Sequence, residues 1–550
     1  MDIQGSKVLV LGGYGLVGTA VCRELLTRAP SLIQIHSLRA EEAEAARAEL
    51  APEAGGVELT TSSGDLFGLT GDDAADAGDD TDRRARLRAH FAQLDDESLR
   101  RFRLYRLLTE VRPDVVVDCV NTATGIAYRD MFSAAEELDR AIDDGESSRE
   151  AMDRMLEALY IPRLIRHLQV MFRGLVDAGT RAYAKVGTTG TGGMGLNIPY
   201  THSEERPSRV LLAKSAIAGA HSMLLTLMAR TPGAPAVTEI KPAAAIAWKK
   251  IGYGPIVRRR ETLRRVEARP RPLGATFSSD DPEAARVLDQ PLESVFIDTG
   301  ENGIFALEEF ATVTSVGQME FVTPEEIAAY LVFEIEGRST GADIIAALDG
   351  AILGPTYRAA GMRHEAIERM IEMEREHGVR SVAFEMLGPP RISKLLYEAH
   401  LLREALGTLR AVAAASPEQL RDRLDELVRA RPEVAAEAAA VGIPVLLDSG
   451  EQIRGPKVIV PPDADRVEVT PERLERWVRD GWADLRLANC ALWVGRARSI
   501  LAEMEAIPLC ETSSRHIRTR RYWLDGGTIQ PGKTVGWILS VEERGERIKR

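Results

Sequence analysis

Residues 7–29 read KVLVLGGYGLVGTAVCRELLTRA, and their order decides how the first half of the chain folds. Val8 to Leu11 are an uninterrupted apolar run, the pattern of a strand covered on both faces. Gly12, Gly15 and Gly18 then form GxxGxxG, and Val17, Val21 and Leu25 follow at helical spacing. The first glycine permits a tight turn, the second lets backbone approach a pyrophosphate, and the third lets the helix pack closely on the strand. The helix N-terminus offers unpaired N–H groups to an anion. A glycine triplet alone says little. Strand, triplet and helix in succession predict a dinucleotide-binding α/β unit, with Gly12, Gly13, Tyr14, Gly15, Leu16, Val17 and Gly18 around the cofactor.

The next strand, LIQIHSLR (32–39), ends where an Asp or Glu would accept hydrogen bonds from an NAD ribose. His36 and Ser37 stand there instead, with Arg39 just beyond. A missing acid and a nearby guanidinium suit the extra phosphate of NADP, so NADP is expected, with NAD as the alternative.

Further on the order and spacing resemble the extended short-chain dehydrogenase/reductase superfamily, which includes the NAD-dependent epimerases and dehydratases. The resemblance runs over roughly residues 6–256 and rests on five segments. GGYGLVG (12–18) matches the glycine motif, and VELTTSSGDLFG (57–68) carries Gly-Asp-Leu, which implies adenine contacts by Asp65 and Leu66. RPDVVVDCVNTATG (112–125) resembles the fourth strand and implies that Asn121, Thr122 and Ala123 flank the cofactor. RAYAKVGTTG (181–190) resembles the fifth strand, with Thr188 and Thr189 where the family holds its substrate oxygen. VTEIKPAAAIAWKKIGYGP (237–255) resembles the sixth, with Lys241-Pro242 in place of Arg-Pro.

The resemblance breaks at one position. In VLLAKSAIAG (210–219), Lys214 matches the family's catalytic lysine, but the residue four before it is Val210 and not tyrosine. That tyrosine exchanges a proton with the substrate oxygen, and valine cannot. Tyr200 and His202, in NIPYTHSEE (197–205), are the candidates to take over its work, presented by a loop above the sheet. Thr188, Thr189 and Lys214 complete the candidate catalytic set. The expected function is an atypical NAD(P)-dependent oxidoreductase of a small organic substrate. The alternatives are a redox-assisted epimerase or dehydratase, or a non-catalytic dinucleotide-binding protein with a structural or redox-sensing role.

The expected architecture is α/β: a Rossmann doubly wound parallel sheet over residues 1–257, with insertions near 67–110 and 133–158. A connector of mixed character spans 258–322, and a large, mainly helical region spans 323–550. Thr323-Pro-Glu-Glu, Ser416-Pro-Glu-Gln and Thr470-Pro-Glu mark helix starts in that region. The tail RYWLDGGTIQPGKTVGWILSVEERGERIK (521–549) reads as a closing β-hairpin. Within it, Gly527 to Thr534 fits GxxxxGK[ST], but VGWIL after it looks strand-like, so ATP binding is not expected.

The 550 residues carry a formal charge of −13, which argues against nucleic acid as a partner. The arginine-rich 258–272 reads as a solvated connector. His364, Glu365, Glu368 and Glu372 share a helix without completing HExxH, so no metal is expected. Four cysteines lack CxxC spacing, and no apolar run approaches membrane-spanning length. A cytoplasmic homo-oligomer acting on a small molecule is expected.

Overall fold

The computed structural model describes residues 1–69, 93–122, 131–144, 148–187, 209–242, 246–258, 261–300, 303–315, 322–338, 351–353, 356–384, 390–462, 464–513, 516, 518–524 and 527–543. The chain divides into two compact units. One comprises Met1–Leu196, Pro207–Ala247 and Glu320–Ala360, and the other Asn197–Arg206, Trp248–Met319 and Gly361–Arg550.

The first unit is built on strands β1 (Lys7–Leu11), β2 (Leu32–Ser37), β3 (Glu58–Ser63), β4 (Val115–Asp118), β5 (Ala182–Val186) and β6 (Ala236–Pro242). A short strand, Ala351–Leu353, joins β6, and the sheet runs Ala351–Leu353, β6, β5, β4, β1, β2, β3. Every pair in it is parallel. The order 3-2-1-4-5-6 is that of a Rossmann sheet, whose ligands lie beyond the carboxyl ends of the strands where the order reverses.

The sheet is covered by α1 (Leu16–Leu26), α2 (Ala40–Leu50), α3 (Asp96–Leu99), α4 (Arg103–Val111), α5 (Met131–Asp143), α6 (Ser148–Ala158), α7 (Tyr160–Ala178), α8 (Arg209–Ala229) and α9 (Pro324–Glu336). On one face Val8, Val10, Ile33, Ile35, Val115 and Val117 bury against Val21 and Leu25 of α1 and Ile327 and Leu331 of α9. On the other, Leu9, Leu11, Val116 and Tyr183 meet Leu104 and Leu108 of α4, Leu168 and Leu175 of α7, and Ile217 and Leu225 of α8. Two-sided burial is why these strands read as unbroken apolar runs. Each fully buried Val, Leu or Ile contributes roughly 1.5–3 kcal/mol. Helices α3 to α6 fall in or beside the segments near 67–110 and 133–158.

This unit is discontinuous in sequence. The chain leaves it after Ala247, because Lys250–Pro255 pairs antiparallel with Glu293–Asp298 in the second unit. It returns for α9, whose apolar stripe fits the sheet face beside α1.

The second unit gathers short antiparallel pairs over 257–305 and a helical core. Its centre is the helix Pro390–Leu406, with every residue from Ile392 to Leu402 buried. Glu398 on that helix accepts from Asp484 N and Trp493 Nε1, both at 2.8 Å, so a buried carboxylate is satisfied rather than stranded. The three predicted helix starts hold, with Thr323, Ser416 and Thr470 capping through their hydroxyls. The tail differs from expectation: Pro531–Trp537 is a helix that runs into a π-helical turn, Ile538–Glu542, and not a hairpin. Proline fits at its first position, and Val535, Ile538 and Leu539 bury one face at helical spacing. Gly532 N also donates to the buried Glu308 carboxylate at 2.8 Å.

Candidate functional site

The glycine turn between β1 and α1 has a different reason for each glycine. Gly12 has φ +76° and lies so close to the end of β4 that a Cβ would sit 3.2 Å from Cys119 C and Val120 N. A side chain on Gly18 would collide with Gly12 O, so helix and turn can approach this closely only through glycine. At Gly15 the chain imposes no such limit, since a Cβ would meet only Gly12 O at 3.4 Å. Gly15 is the N-cap of α1 with no side-chain cap, and its bare surface borders the first-turn N–H groups. That is a cradle a side chain would fill, and its unpaired donors fit a pyrophosphate. Thr19 Oγ1 pins the turn by donating to Gly13 O at 3.1 Å.

At the end of β2 the hydroxyl of Ser37 is buried without a hydrogen-bond partner, where the ribose-binding acid stands in NAD proteins. His36 next to it is held between Ser62 Oγ (2.9 Å from Nδ1) and Gly64 O (3.0 Å from Nε2). A carbonyl only accepts, so Nε2 carries the proton and Nδ1 accepts from Ser62. Burial lowers the His36 pKa to about 4, the Gly64 bond opposing and Arg103 adding to the effect. Gly64 has φ +130°, and a side chain there would run into the Arg103 guanidinium. Arg103, which composition did not single out, therefore lies over the Gly-Asp-Leu segment. Arg39 is exposed as the N-cap residue of α2, Asp65 is exposed, and Leu66 is buried.

Across β4, β5 and β6 the register places Asp118, Lys185 and Glu239 in one row. Lys185 Nζ lies 2.9 Å from Asp118 Oδ1. It also donates to Val120 O at 2.6 Å and Thr122 Oγ1 at 3.3 Å. Tyr183 OH donates to Asp118 Oδ2 at 2.7 Å. Burial works to raise the Asp118 pKa, but the Lys185 charge and these donors hold it below the usual carboxylate range. Glu239 leans over Gly187, the first residue after β5, so closely that a side chain there would collide with its carboxylate. Sequence reading missed this row. Its one signal is a lysine inside the apolar strand AYAKV.

Lys214 is half-buried on α8, and Val210 lies one turn before it in the same helix. Two turns further, on the buried face of α8 with Ile217 and Ala218, His221 has an unpartnered Nε2. Burial pushes its pKa down to about 3, with Lys185 adding to the effect. Thr122 and Lys241 are buried, while Asn121 and Pro242 are half-buried. Ala123, Thr188, Thr189, Tyr200 and His202 lie outside the described residues.

Elsewhere, His364, Glu365, Glu368 and Glu372 are exposed on the helix Tyr357–His377. Among the described residues no group of three His, Cys, Asp or Glu side chains could hold a metal. None of the described helices is long and apolar enough to cross a membrane. The GxxxxGK[ST] match is followed by a helix, contrary to expectation, but a helix and not a strand precedes it. Its Lys533 donates to Tyr522 O at 3.1 Å and sits 4.9 Å from the Tyr522 ring centre.

The model for the NAD dependent epimerase/dehydratase family matches residues 8–135, which bears out the resemblance read from the motifs. A second family model, for the beta-methylindole-3-pyruvate reductase C-terminal domain, matches residues 262–543. No curated protein matches the chain. Among solved structures, a short-chain dehydrogenase/reductase from Serratia marcescens is 15% identical with a TM-score of 0.29, covering 64% of this chain and 97% of that one. A short-chain type dehydrogenase/reductase from Mycobacterium ulcerans is 16% identical with a TM-score of 0.26, covering 45% and 70%. Pen from Bacillus thuringiensis is 10% identical with a TM-score of 0.25, covering 44% of this chain; the match spans 50% of the Pen chain.

Proposed function

The chain belongs to the family of the beta-methylindole-3-pyruvate reductase C-terminal domain, and on that premise we propose that it is an NAD(P)-dependent reductase of a 2-oxo acid with an aromatic side chain. The observation that carries the cofactor part is the cradle at Gly15, vacant of side chain for no reason internal to the chain. The dinucleotide, when bound, supplies a hydride to the carbonyl carbon. The α1 N-terminus neutralises the pyrophosphate, and the Ser37 hydroxyl meets the adenosine ribose. Arg39 and Arg103 supply positive charge for a 2′-phosphate, which favours NADP over NAD. In this reading Thr188 or Thr189 holds the carbonyl oxygen, Tyr200 or His202 delivers its proton, and Lys214 binds the nicotinamide ribose.

Fluorescence titration with NADPH and NADH, followed by NADPH oxidation assays with beta-methylindole-3-pyruvate, tests the proposal. Tight NADPH binding with turnover, lost in Lys214→Met while the protein stays folded, supports it. Binding without turnover on any 2-oxo acid, unaffected by Tyr200→Phe or His202→Asn, would favour the non-catalytic alternative that Val210 suggests.

A further inference from the structure

A buried ion pair is a poor device for stability alone, because the cost of dehydrating two charges commonly equals or exceeds their attraction. A pair of aliphatic side chains would serve a Rossmann sheet as well. Lys185 is nonetheless 2% exposed in the middle of such a sheet, paired with Asp118 at 3%.

What the pair does is hold one short stretch of backbone. The Lys185 ammonium has three protons, and it meets Asp118 Oδ1, Val120 O and Thr122 Oγ1. Asp118 Oδ1 also accepts from Val120 N at 2.9 Å. Both the N–H and the carbonyl of Val120 are therefore tied to the pair. The Cys119–Val120 peptide is the surface on which Gly12 rests, at the closest approach a glycine allows. The clamp thus sets the floor under the glycine turn and fixes the backbone on both sides of Asn121.

We propose that Lys185, through Asp118, Val120 and Thr122, is a positioning residue for the dinucleotide site. This rests on the reading that the Gly12–Gly18 turn binds the cofactor. The clamp orders the β4 end before the ligand arrives, so its loss is felt in affinity rather than only in folding.

The test compares NADPH affinity, by fluorescence titration of the full chain, with the thermal midpoint in three variants. Lys185→Met leaves Asp118 unpaired and is expected to lose both stability and affinity. Lys185→Met with Asp118→Leu removes both charges and is expected to recover the midpoint while the Kd for NADPH stays raised about tenfold or more. Thr122→Val keeps the ion pair and is expected to raise Kd about threefold, and it decides the matter if the double variant does not fold. Wild-type affinity in the folded double variant, or in Thr122→Val when that variant decides, would overturn the positioning role while leaving the cofactor reading intact. A wild-type protein that binds neither NADPH nor NADH would overturn both.

Discussion

The carboxylate of Glu239 occupies the space that a side chain at Gly187 would need. Two strands that are neighbours only in the folded sheet thereby crowd the start of GTTG (187–190) with the end of the Glu239 side chain. Gly187→Ala forces that carboxylate aside, and because the flexible end of Glu239 can give way the cost is expected at about 1 kcal/mol, the low end for overpacking. Adding Glu239→Ala relieves the clash, so the double variant loses less stability than the sum of the two single changes. A thermal-denaturation double-mutant cycle reads the coupling, and strict additivity would contradict it.

The glycines of the first turn are expected to separate into structural and ligand-facing types. Gly18→Ala meets backbone and lowers the unfolding midpoint along with nucleotide binding. Gly15→Ala meets only Gly12 O at an ordinary distance, so it keeps its midpoint and loses about tenfold in NADPH affinity. Equal midpoints for the two variants would break the distinction.

Cofactor choice is expected to follow the guanidinium groups of Arg39 and Arg103. Arg39→Ala and Arg103→Ala should each weaken NADPH by about tenfold, roughly 1.4 kcal/mol, and leave NADH within about twofold. Titrations with both cofactors give the ratio. A parallel loss for NADH would mean that these arginines do not read the 2′-phosphate.

His36 makes stability depend on pH in a defined direction. Its folded pKa of about 4 lies below the 6.5 of an ordinary histidine, so between these values the unfolded chain binds more protons. The contribution is whole above pH 6.5 and is lost as pH falls toward 4, amounting to roughly 3 kcal/mol at most. His221, near 3, adds loss in the same direction. Urea midpoints from pH 7 to 4 should fall for the wild type and fall less steeply for His36→Gln, and equal slopes would count against this assignment.

The β1–turn–α1 unit, the absence of a ribose-binding acid and the capped helices at Thr323, Ser416 and Thr470 were legible from residue order alone. Each depends on chemistry that acts within a few residues: apolar period, glycine conformation, a hydroxyl three positions before an N–H. The tail at 531–537 misled because VGWIL suits a strand by propensity, and only its packing, including the Gly532 bond to Glu308, makes it helical.

The rest was decided in three dimensions. Arg103 lies over Gly64 from 39 positions further along the chain, Lys185 meets Asp118 across two strands, and α9 returns to the sheet after a long excursion into the second unit. Parallel pairing brings together segments far apart in the chain, and no local pattern records which residue will stand opposite which. Residue order therefore carries the glycine turn and its helix, while the sheet register carries the charges that surround them.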